Sequence, residues 1–182
     1  MRRAIQLAVL AAFIGSTAYA QGGQTQYAGQ EKREIKSLSA EEIQAYESGQ
    51  GMGFAKVAEL NQYPGPKHVL DFASELNLTD AQRLETRKIY DRMHAEAVRL
   101  GNSIVSLERD LDRLFATKLV DAPKLKLAVS EIARLQGEVR NVHLQAHIEM
   151  RKLLTGDQIK KYDSLRGYDS GDADHKDRKR EH

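Results

Sequence analysis

Three histidines and one aspartate have a spacing that could bind a metal ion. His143 and His147 are four residues apart, so on a helix both side chains project from one face, one turn apart. Asp91 and His94 are three residues apart, and two helices paired antiparallel about a centre near residue 119 would bring them level with the first pair. Imidazole nitrogens and carboxylate oxygens bind zinc, and they also suit nickel or copper. The spacing predicts a metal site of Asp91, His94, His143 and His147.

A purely structural role for the same side chains is the alternative. They lie one position away from predicted apolar seam residues such as Met93, Val142 and Ala146. Polar residues beside a seam often cover the core with their apolar parts while their polar ends reach water. The sequence leaves both interpretations open.

Other chemistry is not indicated by the sequence, and the protein is not expected to be an enzyme. The chain has no cysteine, which excludes disulfides, thiolate metal sites and a cysteine nucleophile. It also has no glycine-rich phosphate loop and no nucleophile elbow. With 28 basic and 26 acidic residues, the charge is too balanced to favour nucleic acid or an anionic membrane as a partner.

The first twenty residues have the three parts of a secretory signal peptide. Arg2 and Arg3 precede an apolar run over residues 4–15, and Ala18-Tyr19-Ala20 supplies the small residues that signal peptidase needs. The apolar run is shorter than the roughly 20 residues that span a bilayer. We therefore predict cleavage after Ala20 and a soluble periplasmic protein. Arg2 and Arg3 are the only charged residues removed, which leaves 26 basic and 26 acidic residues.

Two long helices must position the predicted metal ligands. From Asp80 to about Thr117 the chain has no proline, and from Pro123 to Leu153 a second apolar seam follows. Between them Asp121 is a candidate N-cap with Pro123 in the first turn. The seam residues step by threes and fours: Ile89 or Tyr90, then Met93, Ala97, Leu100, Ile104, Leu107, Leu111 and Leu114 in the first helix, and Leu125, Ala128, Ile132, Leu135, Val139, Val142, Ala146, Met150 and Leu153 in the second.

The predicted fold is all-α, with a long antiparallel helical hairpin and shorter flanking helices. Because a two-helix hairpin alone buries little surface, we expect other helices or a second chain to cover it, and we predict a homodimeric cradle. Residues 21–65 are predicted to form an N-terminal extension with short helices, one beginning at Ser39 and ending by Gly49, and another within residues 54–60. Pro66 should open a helix running to about Leu76. Residues 66–168 form the main helical domain, and residues 169–182 are predicted to be a disordered charged tail.

One short phrase occurs twice, as LTDAQ and LTGDQ. Each copy is a capping box, in which a threonine hydroxyl accepts from a backbone N–H and a glutamine three residues later reaches back to the threonine N–H. Each phrase therefore marks the start of a helix after a bend. The six structural residues are Leu78, Thr79, Gln82, Leu154, Thr155 and Gln158.

The chain resembles the LTxxQ-motif family of periplasmic proteins. The resemblance rests on the two phrases bracketing a long hairpin, the signal peptide and the segment KKYDSLR at residues 160–166, and it covers roughly Pro66 to Tyr168. The family includes the chaperone Spy, the stress regulator CpxP, zinc-resistance-associated proteins and CnrX-like metal sensors. The resemblance implies a helical cradle, often a homodimer, that binds unfolded or misfolded proteins without ATP, or binds a membrane sensor protein.

The two branches of that family suggest two functions. The first is an ATP-independent chaperone or envelope-stress adaptor of the Spy and CpxP type, which needs no cofactor. The second is a heavy-metal sensor or metal-binding protein. CnrX-like sensors use a histidine pair on the first helix of the domain, whereas this chain has His68 followed one turn later by Phe72. His147 and Met150 are three residues apart instead of four, so His68 and Met150 are only additional candidate ligands.

Overall fold

A computed structural model describes residues 25–168, and the described chain is helical without strands. The predicted signal peptide and charged tail lie outside these residues. No helix within residues 25–168 is both long enough and apolar enough to cross a membrane. The helices are α1 (Ala40–Glu47), α2 (Lys56–Glu59), α3 (Pro66–Asp71), α4 (Asp80–Ala116), α5 (Ala122–Leu153) and α6 (Gly156–Arg166), preceded by a 3-10 turn at Gln30–Lys32.

The long antiparallel hairpin is confirmed as α4 and α5. Asp121 caps α5 by accepting a hydrogen bond from the Lys124 N–H over 2.8 Å, and a proline lies in the first turn, as the sequence predicts. An ion pair between Arg92 and Glu149 crosses from one helix to the other. The seam is buried over most of its length, but Leu125, near the turn, is 37% exposed.

Two apolar clusters form the core. The first lies where α3 and α6 pack on the open end of the hairpin. Its buried residues are Val69, Ala73, Leu76, Leu78, Ile89, Met93, Ala146, Met150, Leu154, Ile159 and Tyr162. The second lies under the N-terminal extension, halfway along the hairpin. Its buried residues are Ile35, Leu38, Tyr46, Leu100, Ile104, Val105, Leu135 and Val139.

The N-terminal extension, residues 25–65, packs along the hairpin. Ile35 is fully buried in the second cluster. Polar contacts flank it on the surface: Lys36 pairs with Asp112 at 3.1 Å, and Glu34 pairs with Arg109 at 2.9 Å. As predicted, Ser39 caps α1 in a capping box with Glu42. The described part of the extension therefore supplies the cover that a bare hairpin lacks.

The prediction that the helix from Pro66 runs to about Leu76 is wrong. This helix, α3, ends at Asp71, and turns carry the chain to the start of α4. Leu76 and Leu78 are both buried in the first cluster. A helix places residues two apart on different faces, so an early end allows both leucines to reach the core. The helix expected within residues 54–60 is present but spans only Lys56–Glu59.

Candidate functional site

Four histidines line one cavity between the N-terminal extension and the hairpin. They are His68 on α3, His94 on α4, and His143 and His147 on α5. We call this space, of about 720 Å³, the histidine cavity. The loop at residues 48–53 and helix α2 form its outer wall. The hairpin therefore brings three of the four predicted metal ligands to one place.

Two of these histidines hold the extension to the hairpin. His94 Nε2 is 3.1 Å from the Ser48 carbonyl oxygen, and His147 Nδ1 is 2.6 Å from the Tyr63 carbonyl oxygen. A carbonyl oxygen can only accept, so each imidazole nitrogen donates. The ring of His94 also stacks on Tyr90, with centroids 5.5 Å apart. The two hydrogen bonds fix the extension at both ends of residues 48–63.

His143 is the buried member of the group. Its side chain packs against the Phe54 ring with centroids 6.2 Å apart, and the residue is only 4% exposed. Within the described part of the chain, His143 Nε2 has no hydrogen-bond partner. Burial, followed by the neighbouring His147 and His94, lowers the pKa of His143 to about 4. The imidazole is therefore neutral at pH 7.

The predicted four-ligand metal set is not assembled by these side chains. Asp91 is exposed and does not line the cavity, and Met150 is fully buried in the first core cluster. Residues 25–168 contain no group of three or more histidine, aspartate or glutamate side chains placed to hold one metal ion. One nitrogen each of His94 and His147 is engaged by a carbonyl oxygen. Binding of zinc, nickel or copper stays a prediction.

Glu59 joins the extension to the C-terminal helix at the edge of the cavity. Its Oε1 accepts from the Tyr162 hydroxyl at 2.6 Å, from Arg166 Nε at 3.1 Å and from the Tyr168 hydroxyl at 3.2 Å. Its Oε2 lies 3.7 Å from His147 Nδ1, and the side chain is only 12% exposed. Sequence reasoning missed Glu59 because a glutamate in a short helix carries no local signal of these distant partners.

Both LTxxQ phrases form the predicted capping boxes. Thr79 accepts from the Gln82 N–H at 3.1 Å, and Thr155 accepts from the Gln158 N–H at 3.2 Å. In return, Gln82 Oε1 accepts from the Thr79 N–H, and Gln158 Oε1 accepts from the Thr155 N–H. The preceding residues Leu78 and Leu154 are buried in the same core cluster.

The two boxes also bind each other through their glutamines. Gln82 Nε2 donates to Gln158 Oε1 at 2.9 Å, and Gln158 Nε2 donates to Gln82 Oε1 at 3.0 Å. The second hydrogen of each amide goes to the carbonyl oxygen of the other bend, at Leu153 for Gln82 and at Leu76 for Gln158. Only a side chain with both donors and an acceptor can make this set. The two glutamines of the repeated motif therefore join the starts of α4 and α6 at the open end of the hairpin.

The paired phrases are also what comparison with known proteins detects. A family model described as "LTXXQ motif family protein" matches residues 66–166.

The chain belongs to the LTXXQ motif family.

The LTXXQ match begins at the first residue of α3 and ends at the last residue of α6. It includes both capping boxes and the whole hairpin, and it excludes the N-terminal extension. Searches of curated proteins and of solved structures found no match. The LTXXQ family is a non-enzymatic family of periplasmic chaperones and sensors.

We predict that the LTXXQ glutamines contribute more to stability than the threonines. Thr79→Ala and Thr155→Ala should each lower the free energy of unfolding by about 1 kcal/mol through the lost cap. Gln82→Ala should cost about 2 kcal/mol, because it removes the acceptor of the Thr79 N–H and the hydrogen bonds that Gln82 makes to Gln158 and to the Leu153 carbonyl. Urea denaturation measures each cost. In the Gln82→Ala/Gln158→Ala double variant, the cost should be clearly less than the sum of the single costs, and strict additivity would contradict the pairing.

We predict that His143 makes stability depend on pH. Its folded pKa of about 4 lies below the ordinary histidine pKa of 6.5, so the unfolded chain binds more protons between these values. The free energy of unfolding should therefore fall as pH drops below about 6.5, by about 2 to 3 kcal/mol by pH 4. Above pH 7 the contribution should be constant.

Other groups also titrate in this range, so the measurement is a comparison with His143→Leu. Denaturant unfolding of both proteins at a series of pH values gives the difference curve. The wild-type protein should lose stability relative to the variant as pH falls through this window. A flat difference curve would show that His143 is not buried in its neutral form.

Proposed function

We propose that this protein is a periplasmic, ATP-independent chaperone or envelope-stress adaptor of the Spy and CpxP type. Membership of the LTXXQ family supports this class of function. The observation that carries the proposal is an exposed apolar surface at the closed end of the hairpin. We call it the tip surface, and it consists of Phe115, Leu119, Leu125, Leu127 and Val129.

The tip surface combines large side chains with high exposure. Leu127 is 73% exposed, Leu119 is 64% exposed and Phe115 is 54% exposed. All five residues belong to the last turn of α4, the connecting turn or the start of α5. On α5, Leu125 and Val129 share one helix face and Leu127 lies on another, so apolar side chains are exposed on more than one side of this end of the hairpin. Exposed apolar surface is typical of protein interaction sites. Unfolded segments expose apolar side chains that such a surface can cover.

The remaining faces of the hairpin are less suited to this role. Much of α4 is covered by the extension. Most basic residues of α4 are engaged in ion pairs: Lys88 with Glu85, Arg92 with Glu149, Arg99 with Glu96, Arg109 with Glu34 and Arg113 with Asp110. Such pairs reduce the free positive charge available to a client. Client contact is therefore placed at the tip surface in our proposal.

Suppression of client aggregation tests the proposal. The aggregation of reduced α-lactalbumin is followed by light scattering. The purified protein should lower the scattered light without ATP. Leu127→Ser should weaken suppression severalfold, because it removes the most exposed leucine of the tip surface. The matched control is Leu84→Ser, since Leu84 is 60% exposed on α4 but lies near the opposite end of the hairpin. Equal effects of both variants, or no suppression by the wild-type protein, would refute the proposal.

We also propose that the chain is exported, cleaved after Ala20 and homodimeric. Support for export comes from the signal-like sequence and from the periplasmic location of the family. Support for a dimer comes from the resemblance to the LTXXQ family, whose members are often homodimers. The intact mass of protein recovered from the periplasm tests cleavage. Light scattering coupled to size exclusion tests the dimer, and a single-chain mass at all concentrations would contradict it.

The metal-sensor alternative has less support, because the candidate ligands do not form a group of three. Calorimetric titration with zinc, nickel and copper is the direct test. Stoichiometric binding that disappears in His143→Ala would favour the sensor. Absence of binding together with client protection would favour the chaperone.

A further inference from the structure

The histidine cavity has the size and lining of a small-molecule site, which the chaperone proposal does not use. Its volume of about 720 Å³ falls within the range of about 300 to 1,000 Å³ found for ligand pockets. Apolar parts of the lining come from Ala55, Leu60, Pro66 and Met93. The rings of Tyr90 and Tyr168 add aromatic surface. A flat apolar molecule could contact these walls.

One buried polar atom in this lining lacks a partner. His143 lines the cavity, is 4% exposed, and has no hydrogen-bond partner for Nε2 within residues 25–168. Buried polar atoms almost always have a partner, and leaving one without a partner costs about 1 to 3 kcal/mol. The adjacent histidines do not have this property, because His94 and His147 each bind a carbonyl oxygen. Nε2 is closed off from solvent in this structure, so an occupant that offers a polar atom would reach it after a small shift of the neighbouring side chains.

The charges around the cavity favour an anion. Three cationic side chains line it, namely Lys56, Lys67 and Arg166, against the single carboxylate of Glu59. Arg166 is paired with Glu59 at 3.1 Å, and Lys67 is paired with Asp71 outside the lining. Lys56 makes no ion pair among the described residues. Lys56 is exposed, so its ammonium group is available to a ligand.

We propose that the histidine cavity binds a small aromatic carboxylate. In this arrangement the ring lies against Tyr90 and the apolar lining, and the carboxylate faces Lys56. A small shift of the side chains around His143 lets a polar atom of the ligand bond to Nε2. The walls of the cavity come from the extension on one side and the hairpin on the other. A bound ligand would therefore hold the two parts together. This site does not depend on the chaperone function.

Indole-3-carboxylate is a suitable probe because the chain contains no tryptophan, so indole fluorescence reports the ligand alone. Fluorescence anisotropy of the probe, titrated with the protein from residue 21 onward, should show saturable binding of one molecule per chain. The neutral amide, indole-3-carboxamide, should bind about tenfold more weakly or worse. Thermal unfolding should shift upward with the acid more than with the amide.

Two variants and one control locate the binding. Lys56→Glu reverses the cavity charge, and His143→Leu removes the imidazole while keeping an apolar side chain, so each should weaken binding by about tenfold or more. The control is Lys126→Glu, because Lys126 is an exposed cation on α5 that does not line the cavity. It should leave binding unchanged.

Three results would overturn the proposal. The first is no saturable binding of the acid by the folded wild-type protein. The second is equal affinity for the acid and the amide, which would exclude an anion site. The third is equal binding by Lys56→Glu, His143→Leu and wild type, which would place the probe elsewhere. Circular dichroism of each variant confirms that it is folded before binding is measured.

Discussion

Replacing Gly101 by alanine should destabilise the protein by about 3 kcal/mol. In an isolated helix the same change would stabilise by about 1 kcal/mol, because glycine is a poor helix former. Here α1 crosses α4 at Gly101, and an added Cβ would lie 2.1 Å from the Tyr46 carbonyl oxygen and 2.7 Å from its carbonyl carbon. Backbone atoms cannot rotate away as a side chain can. The extension would therefore have to move off the hairpin.

Gly137 provides the matched control for this substitution. It lies in the interior of α5, it is exposed, and an added Cβ would meet no atom within 4 Å. Gly137→Ala should therefore raise the free energy of unfolding by about 1 kcal/mol. Urea denaturation compares the two variants, and amide hydrogen exchange should show lost protection in α1 only for Gly101→Ala. Stabilisation by both substitutions would mean that α1 does not cross α4 at Gly101.

Glu59→Ala should also cost about 3 kcal/mol, because it removes the acceptor of a fully buried hydroxyl and the carboxylate of a partly buried ion pair. Tyr162 is fully buried, and its hydroxyl would lose the acceptor at 2.6 Å. Burial, reinforced by Glu59, raises the pKa of Tyr162, so the hydroxyl stays protonated and needs an acceptor. Arg166 would lose its carboxylate at the same time. The extension should then separate more easily from α6.

Thermal and urea unfolding measure the cost, with Glu47→Ala as the control. Glu47 is an exposed glutamate at the end of α1, and its loss should change stability by less than about 0.5 kcal/mol. Glu59→Gln keeps an acceptor for Tyr162 but removes the charge, so its cost should lie between those of wild type and Glu59→Ala. If Glu59→Ala behaves like Glu47→Ala, the junction contributes nothing to stability.

Most of the helical architecture could be predicted from local sequence signals. Thr79, Asp121 and Thr155 were predicted as caps from their side chains and the residues that follow, and each caps its helix in the structure. The apolar seams of α4 and α5 predicted an antiparallel hairpin, which the structure confirms. The end of α3 could not be predicted in this way, because the burial of Leu76 and Leu78 depends on the core that they join.

The candidate site was only partly predictable. The hairpin register brought His94, His143 and His147 to one level, and all three line the same cavity. The sequence could not show that His94 and His147 would bind carbonyl oxygens of Ser48 and Tyr63, since no local signal specifies the path of the extension along the hairpin. Helix periodicity predicts on which face of the helix a histidine lies. It does not predict which imidazole nitrogen has a hydrogen-bond partner.

The sequence by itself determined where the helices begin and turn, because capping and apolar periodicity act between residues a few positions apart. It also identified the repeated phrase that defines the family. Only the tertiary structure decided that the two glutamines bind each other, that the backbone of α1 packs directly against Gly101, and that Glu59 accepts a hydrogen bond from Tyr162. These contacts join residues distant in the chain, so they depend on the relative placement of whole helices.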